Sequence, residues 1–234
     1  MKDTIRTKRL TLTPMTEDEL FKLADAQTNE HLKKAYGEML AGCRAHPSEA
    51  LWYTAWKITR KDGIVVGDLC FKGTQIGGEV EIGYGIEGMY RRCGYATEAV
   101  GAACSWAMRH KDVGFVSAEV EPGNSASRRV LEKNGFKSDG RGVEGHRFLK
   151  EERFIPMTMV LLCVGMVIGM VIGGVWMESM EVPMTLGMLS GMAFGAAFDA
   201  VRKKRMEECK ARHEQSRKAD IPSLEKGFED SPRP

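Results

Sequence analysis

From Phe154 to Met177 the chain reads FIPMTMVLLCVGMVIGMVIGGVWM, 24 residues without a charged side chain. About 20 apolar residues in a helix cross the hydrocarbon core of a bilayer. A second run, VPMTLGMLSGMAFGAAFDAV from Val182 to Val201, carries one charge, Asp199. Glu178 to Glu181 form a tight link between the runs. The pattern predicts a helical hairpin, about 154–177 and 182–201, that crosses a membrane twice; a hydrophobic hairpin buried in a globular domain is the alternative. Arg147, Lys150 and Arg153 precede the first run, and Arg202, Lys203, Lys204 and Arg205 follow the second, whereas the link has no basic residue. Positive charge stays on the cytoplasmic side, so the expectation is a multi-pass cell-membrane protein with both termini cytoplasmic.

Glycines recur every four residues in both runs, at Gly165, Gly169 and Gly173 and at Gly187, Gly191 and Gly195. Such rows let helix backbones approach closely. They either pack the two helices together or drive association into a homo-oligomer.

The rest of the chain has a different character. Residues 1–152 mix charged and apolar side chains as a globular domain does, and residues 202–234 form a charged, cytoplasmic tail that could prolong the second helix. Three regions result: 1–152, 153–201 and 202–234. The net charge of +2 argues against nucleic acid as a partner. The six cysteines have no Cys-x-x-Cys pair, and the five histidines share no spacing, so neither a disulfide framework nor a metal site is expected. No apolar stretch follows MKDTIRTKRL, so no signal peptide is expected there.

Within the first region, Leu10 and Leu12 alternate with threonines as in a strand that Pro14 closes. Thr16 and Glu19 have capping-box spacing, which starts a helix at Glu17. A second helix is expected between Asn29 and Arg44. LWYTAWKITR, a turn at Asp62-Gly63 and IVVGDLCFKG read as strand, turn, strand. EVEIGYGIEG is a further strand with Val80, Ile82, Tyr84 and Ile86 on one face. A helix from Ala96 to about His110, the strand VGFVSAEVEP and a helix capped by Asn124 and ended by Gly135 follow. Strands near Phe136–Arg141 and His146–Glu152 complete an α+β arrangement, a mixed and mostly antiparallel sheet with helices on both faces. Trp52, Trp56 and Trp106 fall on apolar faces and are read as core.

The loop YRRCGYATEAV, Tyr90 to Val100, lies between a strand and a helix. Backbone N–H groups of such a loop and of the first helical turn converge on one spot, and the helix dipole favours negative charge there. Gly94 and Ala96 allow an anion to come close. Arg91 and Arg92 add positive charge suited to phosphate oxygens.

Together with TKRLTLTPM, DGIVVGDLCF, VEIGYGI and EVEPGNSASRRVLEKNGF, this loop resembles the GNAT superfamily of acetyl-CoA-dependent N-acetyltransferases, and in particular the branch of the ribosomal-protein N-terminal acetyltransferases. The resemblance covers residues 4 to about 150. It implies that Arg91, Arg92, Cys93, Gly94, Tyr95 and Ala96 line the pyrophosphate site of acetyl-CoA. It implies further that the strand ending at Ile86 splays from the strand of Val116–Glu121. The pantetheine arm would then lie along Tyr84, Gly85, Ile86, Glu87 and Gly88, with Asn124 and Ser127 facing it. Gly88 stands where proline is frequent in the family, and Arg92 where glycine is frequent.

The reaction so implied is transfer of acetyl to a primary amine, a protein N-terminus or a small molecule. The amine must lose a proton, attack the thioester carbonyl and release a thiolate. Glu81, mid-strand beside the splay, is the candidate base acting through water; the alternative is that it only pairs with a neighbouring backbone group or lysine. Leu131 occupies the position of the tyrosine acid of many relatives, which leaves Ser127 or a water for that role. The expected protein is a membrane-anchored N-acetyltransferase that touches lipid through its hairpin. Its alternative is a non-catalytic acetyl-CoA sensor coupled to an oligomerising hairpin.

Overall fold

A computed structural model of the chain describes residues 3–74, 76–152, 156–176 and 181–229. The chain divides into two compact units. The first takes in the residues up to Glu152 and the stretch from His213 on; the second is Arg153–Arg212.

The first unit is built on one eight-stranded sheet of order β1-β2-β3-β4-β5-β6-β8-β7. Its strands are β1 (Ile5–Arg6), β2 (Leu10–Pro14), β3 (Ala55–Arg60), β4 (Val65–Phe71), β5 (Glu79–Ile86), β6 (Phe115–Val120), β7 (Lys137–Arg141) and β8 (His146–Glu151). All neighbours are antiparallel except β5 and β6, which run parallel. The helices are α1 (Glu17–Ala26), α2 (Glu30–Ala45), α3 (Tyr95–Ala107) and α4 (Ser125–Lys133). The mixed sheet flanked by helices agrees with the sequence reading.

Local chemistry sets the helix starts. Thr16 and Glu19 close the capping box of α1, and Asn29 caps α2 through the N–H groups of His31 and Leu32. Strand alternation then sorts the sheet into two faces. Leu10, Leu12, Trp56, Ile58, Leu69, Val80 and Ile82 pack with Ala99, Val100, Ala103 and Trp106 of α3 and with Leu131 of α4. On the opposite face, Ala55 packs with Leu20 of α1 and with Tyr36, Leu40 and Cys43 of α2. Trp56 is fully buried, and the rings of Trp52, Trp56 and Phe71 cluster around Trp106, which gives the tryptophans a core role.

The short strand β1 was not expected, and a further segment departs from the sequence reading. Leu51 and Trp52 close a short 3-10 helix, Pro47–Trp52, and the strand starts only at Ala55. Proline opens that turn, and the Trp56 indole N–H donates to Leu51 O at 3.0 Å, which folds the turn onto the strand.

The stretch from His213 rests on the same sheet. The His213 ring stacks on Phe115 with centroids 4.3 Å apart, and its Nε2 lies 2.7 Å from Glu79 Oε2. Arg147 pairs with Glu79 and Asp139, and Arg217 pairs with Asp139 at 3.0 Å.

The second unit contains α5 (Thr158–Trp176) and the apolar part of α6 (Glu181–Glu229). Residues 154–155 and 177 of the expected first span and 178–180 of the link lie outside the described residues. The glycine rows meet. A Cβ on Gly165 would come 2.1 Å from Gly187 O, one on Gly187 2.2 Å from Gly165 O, and one on Gly191 2.1 Å from Leu161 O. These glycines are therefore spent on the contact between the two helices. Asp199 of α6 caps α5: its carboxylate accepts from the N–H groups of Met157 at 2.8 Å and Thr158 at 2.9 Å. Among the described residues, one helix, spanning Met184–Lys218, is by length and composition apolar enough to cross a membrane; the apolar stretch Thr158–Val171 is shorter.

Candidate active site

β5 and β6 pair only where Glu79, Val80 and Glu81 face Phe115, Val116 and Ser117. Beyond Glu81 the strands part, although β5 runs on to Ile86 and β6 to Val120. The splay expected from the sequence is thus present, and it leaves backbone groups of residues 82–86 facing a gap on that side.

The loop after β5 leads into α3. Gly94 caps that helix with φ +80°, a left-handed conformation that costs glycine little, and the first turn follows at Tyr95. Arg92 also has positive φ, +63°. It is the non-glycine residue that stands where the resembled family favours glycine. Arg91, Arg92 and Cys93 are exposed, and the Arg91 Nε donates to Ile86 O at 3.1 Å, tying the loop back to the end of β5.

Arg9 braces this loop, a role not read from the sequence. Its Nη1 donates to Cys93 O at 3.0 Å, and its guanidinium lies 4.9 Å from the centre of the Tyr95 ring. Glu98, in the first turn of α3, accepts from the Arg9 Nε at 2.7 Å, the Arg9 backbone N–H at 2.8 Å and the Thr7 hydroxyl at 2.7 Å. Burial would raise the Glu98 pKa, but the bonds from Thr7 and Arg9 outweigh it and hold the carboxyl below its ordinary value.

Glu81 is half-buried at the apex of the splay. Its Oε1 lies 2.7 Å from Lys72 Nζ, which also reaches Glu144 Oε2 at 3.1 Å. The lysine pairing weighed for this residue is therefore real. Burial dominates all the same and raises the Glu81 pKa against the pull of Lys72.

Asn124 caps α4 by accepting the Ser127 N–H at 3.0 Å. Ser127 Oγ lies 2.8 Å from the Tyr84 hydroxyl, which crosses from β5 to α4. Burial raises the Tyr84 pKa, so the phenol keeps its proton at neutral pH. The sequence pointed to Tyr84 for its backbone; the hydroxyl contact depends on packing between β5 and α4. Leu131 is fully buried in the core. Glu81 at the apex, the Tyr84–Ser127 pair across the gap and the Gly94 loop at the mouth thus surround one splay. Among the described residues, no group of three or more His, Cys, Asp or Glu is placed to hold a metal.

Residues 9–137 match the Acetyltransferase (GNAT) domain family, which covers more than half of the chain. The chain belongs to this family of acyltransferases. A curated relative, the uncharacterized N-acetyltransferase YjdG of Bacillus subtilis (strain 168), is 33% identical over 94 residues. That match takes in 39% of this chain and 56% of the relative, so the chain spans about half the length of the curated protein it matches. Among solved structures, the acetyltransferase from Agrobacterium tumefaciens str. C58 is 21% identical with a TM-score of 0.51, over 65% of this chain and 96% of that one. The ribosomal-protein-S5-alanine acetyltransferase from Vibrio fischeri is 15% identical, also at 0.51, over 64% and 96%. These likenesses concern the fold.

Proposed function

We propose that this chain transfers the acetyl group of acetyl-CoA to a primary amine, and that α5 and the apolar part of α6 hold it in a membrane. The observation that carries the enzymatic reading is the parting of β5 and β6 after Glu81, at the end of the sheet where the Gly94 loop opens α3. The loop N–H groups of residues 92–96, with Arg91 and Arg92, take the pyrophosphate. The edge of residues 84–88 that has lost β6 takes the pantetheine arm, with Asn124 and Ser127 across from it. Glu81, with its raised pKa, accepts the proton that the attacking amine must lose, through water. Ser127, coupled to the Tyr84 hydroxyl, returns a proton to the departing thiolate. Orientation supplies much of the acceleration, since a thioester is already activated.

The membrane reading rests on the outer surface of the second unit. With the glycines turned to the helix contact, Val160, Val167, Ile168, Leu186, Phe194 and Phe198 stand exposed. A continuous apolar surface of that kind is stable against lipid and not against water. The basic residues before α5 and after Val201 favour both flanks on the cytoplasmic side, where acetyl-CoA is available.

The test is calorimetric titration of the full chain in detergent micelles with acetyl-CoA, followed by thiol release over a panel of primary amines. Binding with amine-dependent thiol release is the expected result. Absence of acetyl-CoA binding at millimolar concentration overturns the enzymatic reading; binding without turnover on any amine favours the sensor. Alkaline carbonate washing of membranes tests the anchor, and release of the chain into the wash overturns it.

A further inference from the structure

Side chains of β4 and β5 alternate so that Asp68 faces Gly85 and Cys70 faces Gly83 across the strand pair. The Lys72 N–H donates to Glu81 O, which extends the same ladder to the apex of the splay. Two glycines therefore leave the floor of β5 bare where it has lost β6. The Cys70 sulfur lies 3.3 Å from the point that a Cβ on Gly83 would occupy, and Asp68 Oδ1 lies 3.4 Å from the equivalent point at Gly85. Burial, helped by the charge of Asp68, pushes the Cys70 thiol up to about 12, so it stays neutral and does not attack a thioester.

Asp68 differs from four other half-buried carboxylates around the sheet, while a fifth, Glu119, accepts from the N–H groups of Val143 and Glu144. Glu79 pairs with Arg147 and His213, Glu81 with Lys72, Glu98 with Arg9, and Asp139 with Arg147 and Arg217. Among the described residues Asp68 has no cation; the hydroxyl of the buried Tyr36 donates to its Oδ2 at 2.6 Å and fixes its direction. A carboxylate withdrawn from water without a counter-charge is costly. Burial raises its pKa against the Tyr36 bond, and the neighbouring Glu87 adds to the rise.

We propose that Asp68, aimed by Tyr36, is the docking point for the positive charge of the incoming amine: its Oδ1 receives the acceptor's ammonium above Gly85. This inference rests on the acetyltransferase reading, and it divides the labour between two carboxylates. Asp68 draws the cation into the cleft, and the amine gives its proton to Glu81 through water only after it has left Asp68 for the thioester, since Gly85 and Glu81 stand about 13 Å apart along β5.

The test uses the full chain in detergent micelles saturated with coenzyme A. Glycinamide serves as a cationic probe and acetamide as its uncharged counterpart, both followed by saturation-transfer NMR. Wild type is expected to prefer glycinamide at least tenfold, Asp68→Asn to lose that preference, and Glu81→Gln to keep it. Asn retains an acceptor for the Tyr36 hydroxyl, and an unchanged melting temperature and coenzyme A affinity show that the variant is folded. Equal glycinamide affinity in wild type and Asp68→Asn, or no preference in wild type, overturns the role of Asp68 and leaves the enzymatic reading standing. Failure of the wild type to bind coenzyme A removes both.

Discussion

The guanidinium of Arg9 donates to the carbonyl oxygen of Cys93 at 3.0 Å and so fixes, from 84 residues away, the loop that opens α3. Arg9→Ala is expected to weaken acetyl-CoA binding about tenfold through loss of loop order, measured by calorimetry. Its partner Glu98 adds an acid dependence. Because its folded pKa lies below 4.5, its stabilising contribution is complete above that value and is lost as pH falls through the lower folded value. The difference in melting temperature between wild type and Glu98→Gln should therefore shrink on acidification below pH 4.5.

For Glu81 the sign runs the other way. Its pKa is raised above 4.5, so acidification protonates the base earlier than for a free carboxylate. The rate, kcat/KM, should fall on the acid side of that raised value, and Glu81→Gln should lower it by about 100-fold. Lys72→Met removes the opposing cation and should move the acid limb to higher pH. An unmoved limb in the pH profile of Lys72→Met would assign the titration to another group.

Tyr84→Phe and Ser127→Ala each break the 2.8 Å contact across the splay. Each is expected to lower kcat by about tenfold or more; Tyr84→Phe should leave the acetyl-CoA dissociation constant within about twofold, whereas Ser127→Ala, which faces the pantetheine arm, should raise it. The double variant should lose little beyond either single one, because the two groups act as a pair.

Arg92 holds a left-handed backbone at φ +63° in the loop proposed to take the pyrophosphate. Arg92→Gly should raise stability by about 1 kcal/mol through relief of that conformation. The same change should weaken acetyl-CoA binding, so that chemical denaturation and calorimetry move in opposite directions.

Gly191 sits where a Cβ would meet Leu161 O at 2.1 Å. Gly191→Leu must push α5 and α6 apart, and cysteine cross-linking of the two helices in membranes should fall. Leu189→Ala, on the exposed side, should leave the cross-link intact.

The order of strands and helices was readable because alternation, caps and turns are local. Thr16, Asn29, Asn124 and Gly94 each mark an element end within a few residues of themselves. Arg9 was not readable as a brace, since its bonds to Cys93 and Glu98 form only when β1 and β2 settle beside α3. The pairing of Asp68 with Tyr36 spans 32 residues and two elements, and the sequence offers only a lone aspartate in an apolar strand. Leu51 and Trp52 read as the start of the strand because they lie just ahead of Ala55 and Trp56, yet they close the turn Pro47–Trp52. In each case a nonlocal contact overrode or supplied what local pattern could not.

His213, which stacks on Phe115 and meets Glu79 at 2.7 Å, follows both apolar helices in the chain. On a translating ribosome, β5 and β6 emerge well before it, and α5 and the apolar part of α6 are synthesised in between. The sheet therefore receives its closing aromatic contact last, and a chain halted short of His213 carries β5 and β6 without the ring that stacks on Phe115.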